Sequence, residues 1–301
     1  MKIFLTILFQ KLLINRDIRT YKKSIIYYLI FRIFRRFLKG SIVVNIYNFK
    51  IYASALKNKT SHSILKKCDF EDQHEIGILN KISNNRKIFF LDCGSNYGFY
   101  SFFTASLSKK NKVLAYEASK STTEEFKKNK LLNNFENISC KNLAISNEYN
   151  KIIELYESTN DWESSINHNS FNKKNISKIK TTTIDFELKD YDLKDFILCV
   201  KLDIEGSEFD AIKGAKETIK KYNPIFIIEI SKYNINKMNS NLKFFTEFLL
   251  ENDYIIIDLF QNRVEIGEIK KRITDVDEDH QTIGNFYLVK NNQYLDFFLK
   301  Q

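Results

Sequence analysis

The chain has 301 residues, of which 44% are hydrophobic and 14% aromatic, and this composition excludes a wholly disordered protein and supports a sizeable core. With only eight glycines and one proline, collagen-like and Pro-rich linker proteins are excluded as well. The net charge is +10, but residues 1–40 alone carry +9, so the rest of the chain is nearly neutral and does not suit a general nucleic-acid-binding protein.

The first 70 residues are expected to form a helical extension that is basic and apolar. Residues 25–39 show two faces at helical spacing. The apolar face comprises Ile26, Leu29, Ile30, Ile33 and Phe37, and the other face comprises Tyr28, Arg32, Arg35, Arg36 and Lys39. Such a helix lies on a membrane surface, because its apolar run is too short to span a bilayer. Alternatively, its apolar face docks on the catalytic core or on a second copy of the chain in a homo-oligomer.

Residues 71–301 alternate between helices and strands. In chain order we predict a helix at 71–83, a strand at 87–93, a helix at 98–108, a strand at 112–117, a helix ending near 132, strands at 138–145, 151–157, 179–186 and 196–203, a helix at 207–221, a strand at 225–230, a helix at 242–252, and strands at 254–260 and 285–290. This order indicates an α/β fold with a doubly wound, mainly parallel sheet. The last two strands are close enough to pair antiparallel at its edge.

Cysteine usage and the N-terminus bear on the compartment. Cys68, Cys93, Cys140 and Cys199 show no CxxC spacing, so we expect reduced thiols and no zinc site. The apolar run at residues 3–10 lacks the cleavage site of a secretory signal. The expected location is the cytoplasm, either free or peripheral at the cytoplasmic face of the membrane.

The first chemical motif is a strand, a glycine loop and a helix start at residues 91–101. Asp92 ends the strand, and Gly94 and Gly98 stand four residues apart. Glycine lets the backbone turn sharply and approach a ligand closely. The spacing differs from the Gly-x-Gly-x-x-Gly of dinucleotide sites, so an NAD(P)-dependent oxidoreductase, which needs a third glycine, is the weaker alternative. A carboxylate beside this loop suits a cationic ligand group, such as the methionyl amine of S-adenosylmethionine.

The second motif is Glu117, at the end of the next predicted strand and 25 residues after Asp92. A carboxylate at this place can accept hydrogen bonds from both ribose hydroxyls of a nucleoside. Nicotinamide sites use the same device, but behind the first loop it favours an adenosyl ligand.

The third motif alternates charges at the end of an apolar strand, with Lys201, Asp203 and Glu205. A period of two places all three on one face, at the carboxyl edge of the sheet. Asp203 and Glu205 can act as a general base or hold Mg²⁺, with Lys201 as their charge partner, although these ligands are too few to assign a metal. A surface salt-bridge cluster is the alternative.

In this combination and order, the motifs resemble class I methyltransferases of the FkbM type over about residues 70–290. The resemblance is carried by residues 91–101, Tyr116-Glu117, Thr183-Ile184-Asp185, residues 201–208, Lys213-Gly214-Ala215 and residues 224–229. It implies a Rossmann-like sheet, S-adenosylmethionine as the cofactor, and O-methylation, often of sugars in surface glycans or natural products.

The resemblance also sets the expected site residues. The expected cofactor-binding residues are Asp92, Gly94, Ser95, Asn96, Gly98, Phe99, Tyr100, Glu117 and Ala118, and the expected catalytic residues are Lys201, Asp203 and Glu205. Ala118 stands where the family commonly has Pro, which should shift the adenosine-side loop slightly. A non-catalytic module with this fold is a further alternative, but it would tend to have lost Asp92, Glu117 or the acid pair.

Three loop residues are candidates to contact the acceptor. His168 and His280 lie in polar loops and can close over the substrate, and Trp162, the single Trp, can pack on a sugar ring. For each, an ordinary loop residue is the alternative.

Overall fold

The computed structural model describes residues 13, 16–35, 41–54, 59–70, 72–157, 164–165, 175–231, 239–275 and 282–299. The strands are β1 (Ile42–Ile46), β2 (Phe49–Ala53), β3 (Lys87–Cys93), β4 (Lys112–Tyr116), β5 (Ile138–Lys141), β6 (Ala144–Ile145), β7 (Ile152–Glu157), β8 (Ser164–Ser165), β9 (Asn175–Thr182), β10 (Phe196–Leu202), β11 (Ile225–Ser231), β12 (Tyr254–Asp258), β13 (Arg263–Val264) and β14 (Thr282–Lys290). The helices are α1 (Ile25–Arg35), α2 (Lys59–Lys67), α3 (Gln73–Asn85), α4 (Phe99–Leu107), α5 (Lys120–Leu131), α6 (Ile184–Leu188), α7 (Glu208–Lys213), α8 (Lys216–Tyr222), α9 (Asn239–Glu251), α10 (Ile266–Asp275) and α11 (Leu295–Phe298), and a 3-10 helix spans Ile18–Tyr21.

An eight-stranded sheet in the order β13-β12-β14-β11-β10-β3-β4-β5 forms the centre of the protein. Strands β5, β4, β3, β10 and β11 run parallel, and β14 inserts antiparallel between β11 and β12. The α/β fold with a Rossmann-like, mainly parallel sheet is therefore confirmed. The strand order reverses at β3, between β4 and β10, and in such sheets the crevice at this reversal is where ligands bind.

The central strands are apolar along their whole length because both faces of the sheet are covered. In β3, Ile88 and Phe90 join one hydrophobic cluster, and Phe89 and Leu91 join the cluster on the opposite face. All four side chains are fully buried. This two-sided burial explains why a continuous apolar run, rather than an alternating one, predicts these strands correctly.

The N-terminal extension contains a β-hairpin that the sequence analysis did not predict. β1 and β2 pair antiparallel, and Phe49 of β2 packs edge-on against Phe99 at a centroid distance of 5.2 Å. Phe70 stacks on the same ring at 3.6 Å. A side chain of α5 pairs with the edge of β2, because Asn129 Oδ1 accepts a hydrogen bond from the Tyr52 N–H at 2.8 Å. The proposed boundary at residue 70 thus runs through one shared hydrophobic cluster.

Helix α1 docks through a face different from the predicted one. Tyr27 and Phe31 are buried, whereas Ile26 and Leu29 of the predicted apolar face are exposed. The Tyr27 hydroxyl donates to the Leu65 carbonyl oxygen at 2.8 Å, in the last turn of α2, where the helix leaves carbonyls unpaired. Hydropathy could not show this preference, because residues 25–31 are apolar or aromatic all round. The side chains of residues 33–39 lie outside the described residues.

Three predicted elements differ from the structure. The strand predicted at 138–145 is divided into β5 and β6, and β6 pairs with β9 in a second sheet of order β6-β9-β7-β8. The strand predicted at 179–186 ends at Thr182, because Thr183 Oγ1 accepts the Phe186 N–H at 3.1 Å and caps α6. The helix predicted at 207–221 is broken at Gly214. Among the helices that the structure describes, none is long and apolar enough to cross a bilayer.

Candidate active site

A cleft lies at the carboxyl ends of β3, β4 and β10. It is lined by Gly94, Asn96, Tyr116, Glu117, Ala118, Thr122, Leu143, Ala144, Ile145, Leu155, Asp203, Ile204 and Glu205. Four of the expected cofactor-binding residues and two of the expected catalytic residues are among them. Asp92, Ser95, Gly98, Phe99, Tyr100 and Lys201 do not line it.

Gly94 joins the loops that follow β3 and β10. Its φ is +80°, and a Cβ at this position would lie 1.8 Å from the Asp203 carbonyl oxygen. The Asp203 N–H in turn donates to the Cys93 carbonyl oxygen at 3.1 Å. A side chain at residue 94 would therefore push apart the two loops that form the floor of the cleft.

Gly98 serves packing rather than the cleft. Its φ is +86°, and a Cβ would come within 2.5 Å of the rings of Phe102 and Phe126. Phe99 next to it is buried between Phe49 and Phe70. These two residues of the first motif therefore pack α4 against its neighbours. Neither of them lines the cleft, so the geometry does not support direct contact between them and a ligand there.

Glu117 is held at the rim of the cleft by backbone donors from both sides. Its Oε2 accepts the Asn96 N–H at 2.9 Å and its Oε1 accepts the Ser119 N–H at 2.8 Å. Burial raises the pKa of Glu117 to about 7, although these two hydrogen bonds act in the opposite direction. Each carboxylate oxygen keeps a lone pair for a further donor.

Asp92 lies beneath the glycine loop rather than in the cleft. It is fully buried, and its Oδ2 accepts from the Ser101 hydroxyl at 2.6 Å. Its Oδ1 has no hydrogen-bond partner within the described part of the chain. Burial raises the pKa of Asp92 despite the nearby charge of Lys201. Asp92 therefore binds Ser101 and lies near the charge of Lys201, and its contact with a ligand amine stays a prediction.

Lys201 is a buried cation that holds Asp203. The Nζ atom lies 2.6 Å from Asp203 Oδ2 and 4.7 Å from the centroid of the Tyr100 ring. Burial alone lowers the pKa of Lys201, but the charges of Asp203 and Asp92 outweigh it and the pKa is raised. Lys201 therefore stays protonated, while the Asp203 side chain remains 42% exposed.

The third motif does not continue as a strand to Glu205. β10 ends at Leu202, and Glu205 occupies a turn with a φ of +51°, so the alternation argument is wrong for this residue. The turn nevertheless brings Glu205 into the cleft. The turn is held by Glu208, whose carboxylate accepts hydrogen bonds from the N–H groups of Ile204 and Gly206 at 3.0 and 3.1 Å. Burial raises the pKa of Glu208 to about 8.

Sequence reasoning missed Glu75, which lies in α3. Its side chain is fully buried, and its Oε1 accepts from Asn285 Nδ2 at 2.9 Å. Its Oε2 and the Tyr287 hydroxyl have no hydrogen-bond partner among the described residues. Burial and the nearby Asp72 raise the pKa of Glu75, whereas Lys201 lowers it. A single acid in an amphipathic helix carries no signal that it lies near a strand end about 125 residues away.

Three residues were predicted to contact the acceptor. These residues, His168, His280 and Trp162, lie outside the described residues. Within the ranges that the structure describes, no cluster of three or more His, Cys, Asp or Glu side chains could hold a metal ion.

A comparison of the sequence with known protein families identifies a methyltransferase domain. The methyltransferase FkbM domain matches residues 92–256, which is more than half of the chain. The chain belongs to this family. No curated protein matches it significantly.

Similar solved structures are methyltransferases. An FkbM methyltransferase from Methylobacillus flagellatus is 20% identical, with a TM-score of 0.43 over 76% of this chain and 52% of that chain. A putative caffeoyl-CoA O-methyltransferase from Staphylococcus aureus is 13% identical, with a TM-score of 0.40 over 74% and 84%. The present chain thus spans about half the length of the M. flagellatus protein.

The cofactor of this FkbM domain is S-adenosylmethionine, and the cleft fits it. Glu117 presents a carboxylate where a ribose binds in such folds. Asn96 Oδ1 is buried at the loop without a hydrogen-bond partner among the described residues. The wall formed by Leu143, Ile145 and Leu155 offers an apolar surface for a purine ring.

Proposed function

We propose that this FkbM domain transfers a methyl group to a hydroxyl oxygen, and that the hydroxyl belongs to a sugar of a surface glycan or of a related metabolite. The observation that carries the proposal is the position of Asp203. Its carboxylate lines the cleft at the end of β10, and Lys201 Nζ holds one of its oxygens at 2.6 Å. A carboxylate fixed in this way can accept the proton of an acceptor hydroxyl.

Oxygen is the acceptor atom that needs such help most. The bound cofactor supplies a methyl group that its sulfonium already activates, so the protein mainly has to align and deprotonate the nucleophile. An alcohol is a poor nucleophile until it begins to lose its proton. Lys201 is buried and protonated, so it orients Asp203 rather than competing for that proton.

The family resemblance and the polar groups that line the cleft support this acceptor class. Asp203 and Glu205 both line it, and paired carboxylates can accept hydrogen bonds from neighbouring hydroxyls of one sugar ring. The same pair is the best candidate to bind Mg²⁺, which would lower the pKa of the hydroxyl. If EDTA abolishes methylation and added Mg²⁺ restores it, we would interpret Asp203 and Glu205 as a metal site.

We place the reaction in the cytoplasm. All four cysteines are free thiols, three of them buried and Cys140 partly so, as suits a reducing compartment.

Mass spectrometry of surface glycans from cells with and without the gene tests the proposal. Deletion should remove the mass of one CH₂ unit for each methyl group, and the wild-type gene should restore it. Partial hydrolysis then shows whether the methyl group was on a sugar oxygen. Unchanged sugars together with the loss of a methyl group from a nitrogen or carbon of another metabolite would contradict O-methylation of glycans.

A further inference from the structure

Helix α1 presents an apolar face to solvent on the side opposite its docked face. Four side chains within about one and a half turns of the helix form this face: Ile25 is 76% exposed, Ile26 71%, Leu29 51% and Tyr28 45%. At about 100° per residue, Leu29 points away from the midpoint of the buried residues Tyr27 and Phe31. Scattered apolar residues are normal on a surface, but a contiguous group on one helix face marks a contact site.

The surroundings of this face are cationic. Lys23 and Arg32 are exposed on or beside α1, whereas Lys22 Nζ pairs with Asp69 Oδ2 at 2.7 Å. The single acid among residues 1–40, Asp17, is neutralised by Arg19 at 2.8 Å. Residues 1–40 carry ten basic side chains and this one acid, a net charge of +9, on a chain that is otherwise nearly neutral.

The helix is already formed and docked on the rest of the extension. Tyr27 stacks between Tyr21 and Phe31, with centroid distances of 5.3 and 6.3 Å, and its hydroxyl is bonded to α2. A partner that binds the outward face does not have to fold the helix, so the entropy of ordering it does not weaken the contact.

We infer that the outward face of α1 (Ile25, Ile26, Tyr28 and Leu29) and the basic residues around it bind the surface of an anionic lipid bilayer. An apolar stripe bordered by cations and by a Tyr matches the layered chemistry of a bilayer surface, with acyl chains beneath anionic headgroups. A polyanion such as nucleic acid would use the charges but not the isoleucines. The docked face and the membrane face are thus opposite sides of one helix.

Vesicle flotation of the intact chain tests the inference without donor or acceptor. Vesicles of phosphatidylcholine alone are compared with vesicles that also contain phosphatidylglycerol, at low and high NaCl. Binding should require phosphatidylglycerol and fall at least tenfold at high salt, because counterions screen the basic residues. Equal binding to neutral vesicles, or no binding to either kind, overturns the inference.

Matched variants separate the face from general effects. The double variant Ile26→Asp/Leu29→Asp should lower vesicle affinity at least tenfold, whereas Leu131→Asp/Leu250→Asp, which alters two even more exposed leucines on α5 and α9, should not. Equal losses in the two would overturn the inference.

Charge reversal gives an independent test. Lys23→Glu/Arg32→Glu should also reduce binding at least tenfold, while Lys109→Glu/Lys110→Glu, with the same change in net charge at another exposed site, should have little effect. Light scattering tests the alternative that a second copy of the chain covers this face. In that case the wild type should form a dimer and bind no vesicles, and Ile26→Asp/Leu29→Asp should dissociate the dimer. Unchanged melting temperatures confirm that each variant is folded.

Discussion

Glu117 links protonation to cofactor binding, because burial places its pKa near 7. Ribose hydroxyls donate hydrogen bonds, so the ligand prefers the ionised carboxylate and lowers its pKa on binding. Affinity should therefore be constant above pH 7 and fall as the pH drops below 7, by at most about tenfold per pH unit.

Calorimetry with S-adenosylhomocysteine between pH 5.5 and about 8.5 measures this dependence. Glu117→Gln should bind more weakly and lose the slope below pH 7. Glu208→Gln is the control, because Glu208 is also buried and titrates near 8 but holds the turn at residues 204–206. A slope that survives in Glu117→Gln would assign the titration to another group.

Asp203 should matter for turnover far more than for cofactor binding. Asp203→Asn keeps the shape and loses the base, so methylation should fall by roughly 10²-fold or more while the Kd for S-adenosylhomocysteine changes by less than about threefold. Asp210→Asn is a matched control, since Asp210 pairs with Lys213 and does not line the cleft. If Asp203→Asn keeps full turnover, the base lies elsewhere, and His168 and His280 are the next candidates.

At the residue scale, sequence reasoning succeeded where chemistry coincides with a strand end. Gly94, Asn96, Glu117 and Asp203 line the cleft because parallel strands end at one edge of the sheet. The same motif also contains residues that face the core, such as Phe99, and spacing alone does not separate the two kinds. The position of Glu75 near Lys201 depends on the tertiary packing of a distant helix, which leaves no local pattern in the sequence.

At the element scale, apolar strands were predictable and their partners were not. The bounds of β3 match the prediction because a run buried on both faces ends at the turn that Gly94 begins. β6 leaves the central sheet to pair with β9, and such a long-range pairing is not encoded in a two-residue strand. Both strands of hairpin β1–β2 alternate buried apolar residues with more exposed ones, which is a strand pattern, but the expectation of one helical extension over residues 1–70 passed over it.

Gly214 shows how contact between elements breaks a helix. A Cβ at this position would lie 2.3 Å from the Ser146 carbonyl oxygen, so α7 and α8 can approach the loop after β6 only with glycine there. Gly214→Ala should lower the free energy of unfolding by about 1–3 kcal/mol.

The same substitution in α3 provides the control. Gly77 has open space around its Cα, so Gly77→Ala should raise the free energy of unfolding by about 0.5–1 kcal/mol through helix propensity alone. Urea unfolding measures both variants. A loss in both would mean that the close approach at Gly214 is not the cause.

At the scale of the whole molecule, the extension and the FkbM domain share a hydrophobic cluster. Phe49 and Phe70 cover Phe99 of α4, and Asn129 of α5 satisfies the edge of β2. Helix α1 lies farther out and docks mainly on α2. We propose that the two halves of the extension differ in role, with residues 41–70 needed to complete the fold and residues 1–40 adding to its stability through the buried side chains of Leu13, Ile18, Tyr27 and Phe31.

Two truncations distinguish these roles. Deletion of residues 1–40 removes Tyr27 and Phe31 but keeps the hairpin, so the chain should fold, melt at a lower temperature and bind S-adenosylhomocysteine. Deletion of residues 1–70 uncovers Phe99 and α5, and large buried aromatic contacts are worth about 3–5 kcal/mol each, a large part of the stability of a domain. This shorter chain should aggregate. Gel filtration, circular dichroism and calorimetry compare the two, and a monomeric, folded 71–301 fragment with unchanged affinity would show that the FkbM domain is complete without the hairpin.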